Sequence, residues 1–329
     1  MRLFLSLAFV GGISGACGDS ASTEADAATE RDAARTDSGA PDASAETDAG
    51  TGDDTGFDTG FDTGSDAGFD AGEDRIPVVV AYGWQGVRMV SIDEGQTWCE
   101  TGLMVDDHDD LFRGGTFANG LFVGAHAGQN NRGAIIVSAD GYTWEALHRT
   151  NFEGELPENP TRQWYGGVAF GNDTWVAAGG CGQIATSPDG RSWTQQERFV
   201  DSCLHIRSVA FGDGRFVVGL DDDTWWTSTD GIAWTLDREG AGSTVIWNGS
   251  DFVGEVDGQR QWRGRGLCMY GQGWNDNARI FRTESADCSG AVEVARPAHS
   301  VTTIAYGNAL ASDYERGALP DELADCLGR

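Results

Sequence analysis

The chain has 329 residues and a net charge of -30, from 52 acidic and 22 basic residues. That balance repels phosphate backbones and anionic headgroups, which excludes nucleic acid as a partner and charge-driven adsorption to a membrane. Its 48 glycines and 12 tryptophans suit an all-β protein with many tight turns and aromatic packing, not a helical one.

In chain order, residues 1–17 come first as an export signal. One arginine precedes an apolar run to Val10, and small residues follow up to Cys17. The run is too short to span a bilayer stably. Ser14-Gly15-Ala16-Cys17 resembles the lipobox of bacterial lipoproteins, although Ser14 stands where that family usually has leucine. The resemblance implies cleavage before Cys17 and its lipidation. Because Gly18 follows rather than aspartate, it also implies the outer membrane, or the cell surface or periplasm, of a Gram-negative bacterium.

Residues 18–75 consist almost entirely of Asp, Thr, Ala, Gly, Ser and Glu, with 17 acids against 3 arginines. Such a stretch cannot bury enough apolar surface to offset the entropy of ordering, so it reads as a disordered acidic linker. It ends in a tetrapeptide array from Asp54-Thr55-Gly56-Phe57 to Asp70-Ala71-Gly72-Glu73. Calcium loops place oxygen ligands two residues apart; a spacing of four does not match, and the array reads as a solvated spacer.

Residues 76–310 read as one β-rich domain. Four segments, 116–124, 168–176, 209–217 and 245–253, each run as apolar strand, Gly/Asn/Asp turn and second apolar strand. That is a hairpin signal. A third strand such as Gln183-Ile184-Ala185-Thr186 follows, then a turn of the pattern Ser-x-Asp-(x)-Gly-x-x-Trp, then a fourth strand. The turn occurs as Ser91, Asp93, Gly95, Trp98; as Ser138, Asp140, Gly141, Trp144; as Ser187, Asp189, Gly190, Trp193; and as Ser228, Asp230, Gly231, Trp234. Successive serines stand 47, 49 and 41 residues apart, and a degenerate copy lies at Ser285-Ala286-Asp287. Four antiparallel strands per roughly 45 residues is the unit of a propeller blade. The expected fold is therefore an all-β β-propeller of four-stranded blades, five preferred, with six or seven as alternatives because residues 254–298 are irregular. Residues 78–83 lack a first strand, and residues 300–308 are a first strand without a blade. Docking one on the other would close the ring and remove two open sheet edges. Residues 311–329 form a C-terminal tail with a short helix.

The repeated turn resembles the Asp box, or BNR repeat, found in sialidases, sortilin-type receptors, some plant-polysaccharide hydrolases and photosystem assembly factors. The resemblance covers roughly residues 77–308 and implies the propeller; it does not choose among functions, since that family holds both enzymes and binders. The motif residues have structural roles: the carboxylate accepts turn N–H groups and the serine hydroxyl, glycine supplies positive φ, and tryptophan covers the hairpin. They are scaffold, and no catalytic residue or cofactor is assigned.

A ligand would use the face opposite these turns. There the aligned first strands put Arg113 and Arg207 at one equivalent position, with Gly166, Ser243 and Thr302 at the others. Arg162, Trp164 and His205 lie nearby, so the set could hold a carboxylate bidentately against an aromatic ring, or simply pair with loop acids. The acidic runs 106–110 and 221–223 could bind calcium or remain solvated. Six cysteines after Cys17 suggest disulfides in an exported protein, and no CxxC supports zinc. Neighbouring connections suggest Cys181–Cys203, a shared blade Cys268–Cys288, and the tail Cys99–Cys326.

The expected function is a non-catalytic binding module, displayed on a lipid anchor and a stalk, for a glycan or an envelope or extracellular protein. The alternatives are a sialidase-like glycoside hydrolase and an assembly or accessory factor. Arg75-Ile76-Pro77 resembles the sialidase Arg-Ile-Pro motif, but it lies only 16 residues before the first Ser-x-Asp turn and lacks a placeable Tyr/Glu pair.

Overall fold

The computed structural model describes residues 74–101, 111–127, 133–149, 164–200, 203–254, 263–264, 266–270, 279–283 and 288–329. The signal segment with Cys17, the spacer, the 106–110 run, Arg162 and the degenerate turn at 285–287 lie outside them.

The regular structure of the described residues is nearly all strand, arranged as antiparallel meanders, and the fold is a β-propeller. The first sheet holds β1 (Arg75–Gly83), β2 (Arg88–Ser91) and β3 (Cys99–Glu100). The second is β4 (Leu111–Ala118), β5 (Leu121–Ala127), β6 (Gly133–Ser138) and β7 (Glu145–Arg149). The third is β8 (Tyr165–Gly171), β9 (Thr174–Gly179), β10 (Ile184–Ser187) and β11 (Thr194–Gln195). The fourth is β12 (Ile206–Gly212), β13 (Arg215–Leu220), β14 (Trp225–Ser228) and β15 (Thr235–Arg238). A two-stranded sheet of β16 (Ile246–Trp247) and β17 (Phe252–Val253) follows. Then comes a sixth sheet of β18 (Arg263–Gly264), β19 (Leu267–Tyr270), β20 (Arg279–Arg282) and β21 (Val292–Ala295). The stretch whose sequence is irregular thus carries a sheet of its own. Finally β22 (Val301–Leu310) returns to pair antiparallel with β1, Val79 opposite Tyr306, as the orphan first strand led one to expect.

The first hairpins of the second to fifth sheets are built the same way. An aromatic just before the turn faces an apolar ring just after it: Phe117 opposite Phe122, Phe170 opposite Trp175, Phe211 opposite Phe216, Trp247 opposite Phe252. Ring centroids lie 4.7, 4.9, 4.8 and 4.8 Å apart. Direct cross-strand aromatic pairs of this kind contribute about 0.2–1 kcal/mol each. Asn119-Gly120 and Asp213-Gly214 turn with φ of 48° and 71°, and 48° and 69°. These are the mirror-image turns whose twist matches the flanking strands.

The same aromatics join neighbouring sheets. A methyl group on Gly171 would lie 2.2 Å from Phe211, one on Gly212 2.0 Å from Trp247, and one on Gly307 2.3 Å from Phe117. Glycine directly after the aromatic of one sheet therefore leaves room for the aromatic of the next.

The four Ser-x-Asp turns are nearly superimposable in their bonding. Each serine hydroxyl donates to its aspartate Oδ1 at 2.8–2.9 Å. Each Oδ1 also accepts two backbone N–H groups, such as those of Ile232 and Ala233 on Asp230 at 2.8 and 2.9 Å. Each tryptophan Nε1 then donates to the glycine carbonyl, at 3.0 Å for Trp98, 3.1 Å for Trp144, 2.9 Å for Trp193 and 3.2 Å for Trp234. The indole N–H is therefore satisfied inside the turn while its rings cover it, a second role beyond apolar cover. The turns also dock onto the preceding sheet. Gly141 backs onto Val78 and Val80 of β1, and Gly231 onto Val176 of β9. Gly95 backs onto Leu267 of β19, which puts the sixth sheet beside the first.

The core lies between sheets. One cluster joins the first and second sheets through Val78, Tyr82, Phe112 and Phe122, and takes in Tyr314, Leu319 and Leu323 of the tail. A second joins Val79, Met89, Leu267 and Ile280 across the first and sixth. The tail ends in α1 (Asp321–Cys326) and crosses the turn of the second sheet, where the Tyr314 hydroxyl donates to the Asp140 carbonyl. Disulfides join Cys99–Cys326, Cys181–Cys203 and Cys268–Cys288. Three such bonds fit an oxidising extracellular or periplasmic compartment. Among the described residues no helix is long and apolar enough to cross a membrane.

Candidate functional site

The first strands β4, β8, β12 and β22, with residues 244–247 and Gly249, line a common cavity of about 720 Å³. At one end all four strands carry a β-bulge. Pairing shifts between Phe112 and Gly114, between Tyr165 and Gly167, and between Ile206 and Ser208. It also shifts in β22, where Thr303 and Val301 are paired and Thr302 is skipped. The extra residues are Arg113, Gly166, Arg207 and Thr302. A bulge leaves its extra residue out of the ladder and re-aims its side chain. This is how two arginines two strands apart come to the same cavity rim.

Between them stands Trp164, 8% exposed, at the start of β8. The Arg113 guanidinium carbon is 4.3 Å from the indole centroid and that of Arg207 is 5.4 Å. The two cations therefore sit within about 10 Å of each other, each over a π-face that attracts it. Gly166 makes this packing feasible: a methyl there would lie 2.5 Å from the Ile206 carbonyl and 2.8 Å from Trp164.

His205 completes the rim. Its ring lies 5.4 Å from that of Trp164, and Nδ1 accepts the Cys181 N–H at 3.0 Å, so Nδ1 carries no proton. Asp221 accepts the backbone N–H of His205 at 3.0 Å through Oδ1 and approaches Arg207 at 3.5 Å through Oδ2. At that distance, with both side chains about one-third exposed, the ion pair is weak and open to exchange. The rest of the 221–223 run closes a turn: Asp222 accepts from the Thr224 N–H and hydroxyl, and Asp223 takes φ 64°.

The opposite end of the cavity belongs to the hairpin turns and the Ser-x-Asp turns. There the Asn172 amide donates to the carbonyls of Gly214 and Thr229 at 2.8 and 2.9 Å, tying the third sheet to the fourth. Arg75 also lies at that end, paired across from Leu310 and donating to Asn308 Oδ1 at 3.1 Å. Seven residues of extended β1, on the order of 23 Å, separate it from the Tyr82–Thr303 pair next to the bulge. The Arg-Ile-Pro arginine and the rim arginines do not meet.

Two features were missed in the sequence. The bulges have a visible signal in Gly114-Gly115 and Gly166-Gly167, because paired glycines inside strands mark a bulge or close approach. The bridging role of Asp221 has none, since its partners come from 14 and 16 residues away.

No protein-family model matches the chain, and no curated protein matches it. Among solved structures the chain is similar to YCF48 bound to D1 peptide, with 17% identity and a TM-score of 0.34 over 61% of this chain and 58% of that one. It is similar to YCF48 from Cyanidioschyzon merolae, with 14% identity and a TM-score of 0.34 over 66% and 68%. It is also similar to the WD40 repeats of RRP9, with 12% identity and a TM-score of 0.36 over 66% and 61%. The chain thus spans less than two thirds of the first and third of these. At such scores the likeness adds nothing to the strand order, and the architecture rests on the sheets themselves.

Proposed function

We propose that the protein is an exported lipoprotein, anchored through Cys17, whose Asp-box propeller is a non-catalytic binding module for a glycan or an envelope or extracellular protein. The observation that carries this reading is the convergence of Arg113 and Arg207 on Trp164 at one rim of the cavity. Two guanidiniums at such a spacing suit an anionic group, a carboxylate above all, with Arg207 exchanging Asp221 for the ligand. Arg162 belongs to the same proposal. The Asp boxes themselves serve as scaffold.

Glycoside hydrolysis needs two carboxylates, or a Tyr/Glu pair, around one bond. Among the described residues the rim offers Asp221, already engaged by the His205 N–H and Arg207. The acids that line the cavity itself, Asp173 and Asp213, belong to hairpin turns at the far end. This favours binding over turnover.

The test is binding of N-acetylneuraminic acid and of acidic peptides, followed by intrinsic tryptophan fluorescence and calorimetry. Arg113→Ala and Arg207→Ala should each weaken binding at least tenfold, about 1.4 kcal/mol. Release of a fluorophore from an aryl sialoside by wild type, lost in both variants, would overturn the non-catalytic reading. Binding untouched by either variant would move the site away from this rim.

A further inference from the structure

We propose that Cys181, Cys203 and His205 form a thiol-gated site for a soft divalent metal ion of the zinc type, closed by the disulfide and opened by a dithiol. This does not depend on the binding reading above. Among the described residues these three form the one cluster of potential ligands, with their ligating atoms all within 4.8 Å of one another. The set is brought together by two segments. Cys181 sits buried in the tight turn between β9 and β10, held at φ 51°. Cys203 and His205 are separated by one residue on the approach to β12.

Each member is prepared for ligation in a different way. Cys203 is exposed, so a small reductant can reach the bond. The His205 ring is buried, and its Nδ1 already presents a lone pair, now used by the Cys181 N–H. Packing against Trp164 holds the ring, and Asp221 accepts the backbone N–H of His205, which holds the main chain that carries it.

The chemistry balances simply. A dithiol gives two electrons and two protons to the disulfide, the S–S bond breaks, and the dithiol becomes a cyclic disulfide. The ion then displaces the two thiol protons to solvent and binds two thiolates and a neutral imidazole. Two thiolates neutralise a divalent cation, so the filled site adds no net charge beside Arg207. Three protein ligands leave a fourth position for water, as in open zinc sites. Thiolates also select zinc-like ions over calcium and magnesium.

The other two disulfides provide the contrast. Among the described residues neither Cys99–Cys326 nor Cys268–Cys288 has a third ligand in such a cluster.

The experiment uses the full chain, reduced with a phosphine, freed of reductant under argon and titrated with Co²⁺ and then Zn²⁺. We expect the near-ultraviolet absorption of thiolate-to-cobalt charge transfer, saturating at one ion per chain and bleached by Zn²⁺. The oxidised chain should show none. Cys181→Ser/Cys203→Ser should abolish the band, and His205→Ala should weaken uptake by at least the roughly 10–100-fold typical of losing even an outer-shell partner. Circular dichroism tracks the fold throughout. A reduced chain that unfolds, one that shows no band, or a band that survives in the double serine variant overturns the proposal. A His205→Ala variant with undiminished uptake removes the histidine from the site and overturns it as stated.

Discussion

Gly212→Ala sets two opposed effects against each other, and the structure says which wins. Gly212 has extended backbone, so alanine is conformationally unstrained there. By restricting the unfolded chain it would stabilise by about 0.4–1 kcal/mol. Against this, the new methyl would lie 2.0 Å from Trp247 Cδ2, in the middle of the fused ring and not at a movable tip. Trp247 cannot swing freely, because its ring packs on Phe252 at 4.8 Å. Overpacking of this kind typically costs about 1–3 kcal/mol. We therefore expect a net loss of about 1–2 kcal/mol, read as a lower urea midpoint with an unchanged slope. Gly171→Ala and Gly307→Ala should behave alike, since Phe211 and Phe117 crowd them equally. Ala118 stands at the matching place in β4, so Ala118→Gly should lose about 0.5–1 kcal/mol instead. The decisive measurement is the cycle with Trp247→Ala, where the methyl penalty should vanish once the ring is gone. A Gly212→Ala protein as stable as wild type, or strict additivity in that cycle, would refute the aromatic-over-glycine account.

Three other outcomes can be measured. The N–H groups of Ala233 and Ile232 hold the Asp230 carboxyl below its usual range, outweighing its partial burial, and the Ser228 hydroxyl adds to this. A depressed folded pKa gives stability that is complete above the ordinary carboxylate range and lost as pH falls through the folded value. Asp230→Asn should thus cost about 0.5–1 kcal/mol at pH 7, allowing for exposure, and converge with wild type in strong acid; parallel stability curves down to pH 2 would contradict it. Opening Cys99–Cys326, which spans 227 residues, should lower stability by about 5 kcal/mol in the chain-entropy treatment, against about 3 for the bridges spanning 22 and 20. Cys99→Ser/Cys326→Ser should also make the tail the first site of limited proteolysis within residues 76–329, and a larger loss from Cys181→Ser/Cys203→Ser would reverse that ranking. Trp164→Phe should keep the fold yet weaken the hold on both arginines, seen as a changed salt dependence of ligand binding; an unchanged dependence would separate the indole from the rim.

Much of the architecture was legible because it repeats locally. Ser228, Asp230, Gly231 and Trp234 make all their turn bonds within seven residues, so spacing alone reveals them. Hairpins such as Asn119-Gly120 declare themselves through residues that tolerate positive φ. The β16–β17 hairpin was legible as the 245–253 segment, whereas the separate β18–β21 sheet was not, because after β17 the chain loses both the regular spacing and the turn motif. The rim was half legible: aligning first strands put Arg113 and Arg207 in register, while only the bulges explain why both side chains leave their ladders.

By itself, then, the sequence determined the blade unit, since that depends on short-range turn chemistry and the alternation of apolar residues; it suggested the β1–β22 pairing and the cysteine partners, both of which are seen in the structure. Tertiary structure alone decided that Trp164 stands between the two arginines, that Asp221 bridges His205 and Arg207, and that Arg75 lies at the far end. The Trp164 contacts join three different sheets, and their distances depend on how the sheets stack around the cavity. Asp221 meets its partners through the β12–β13 pairing, and Arg75 is placed by the β1–β22 pairing, neither of which a local pattern encodes.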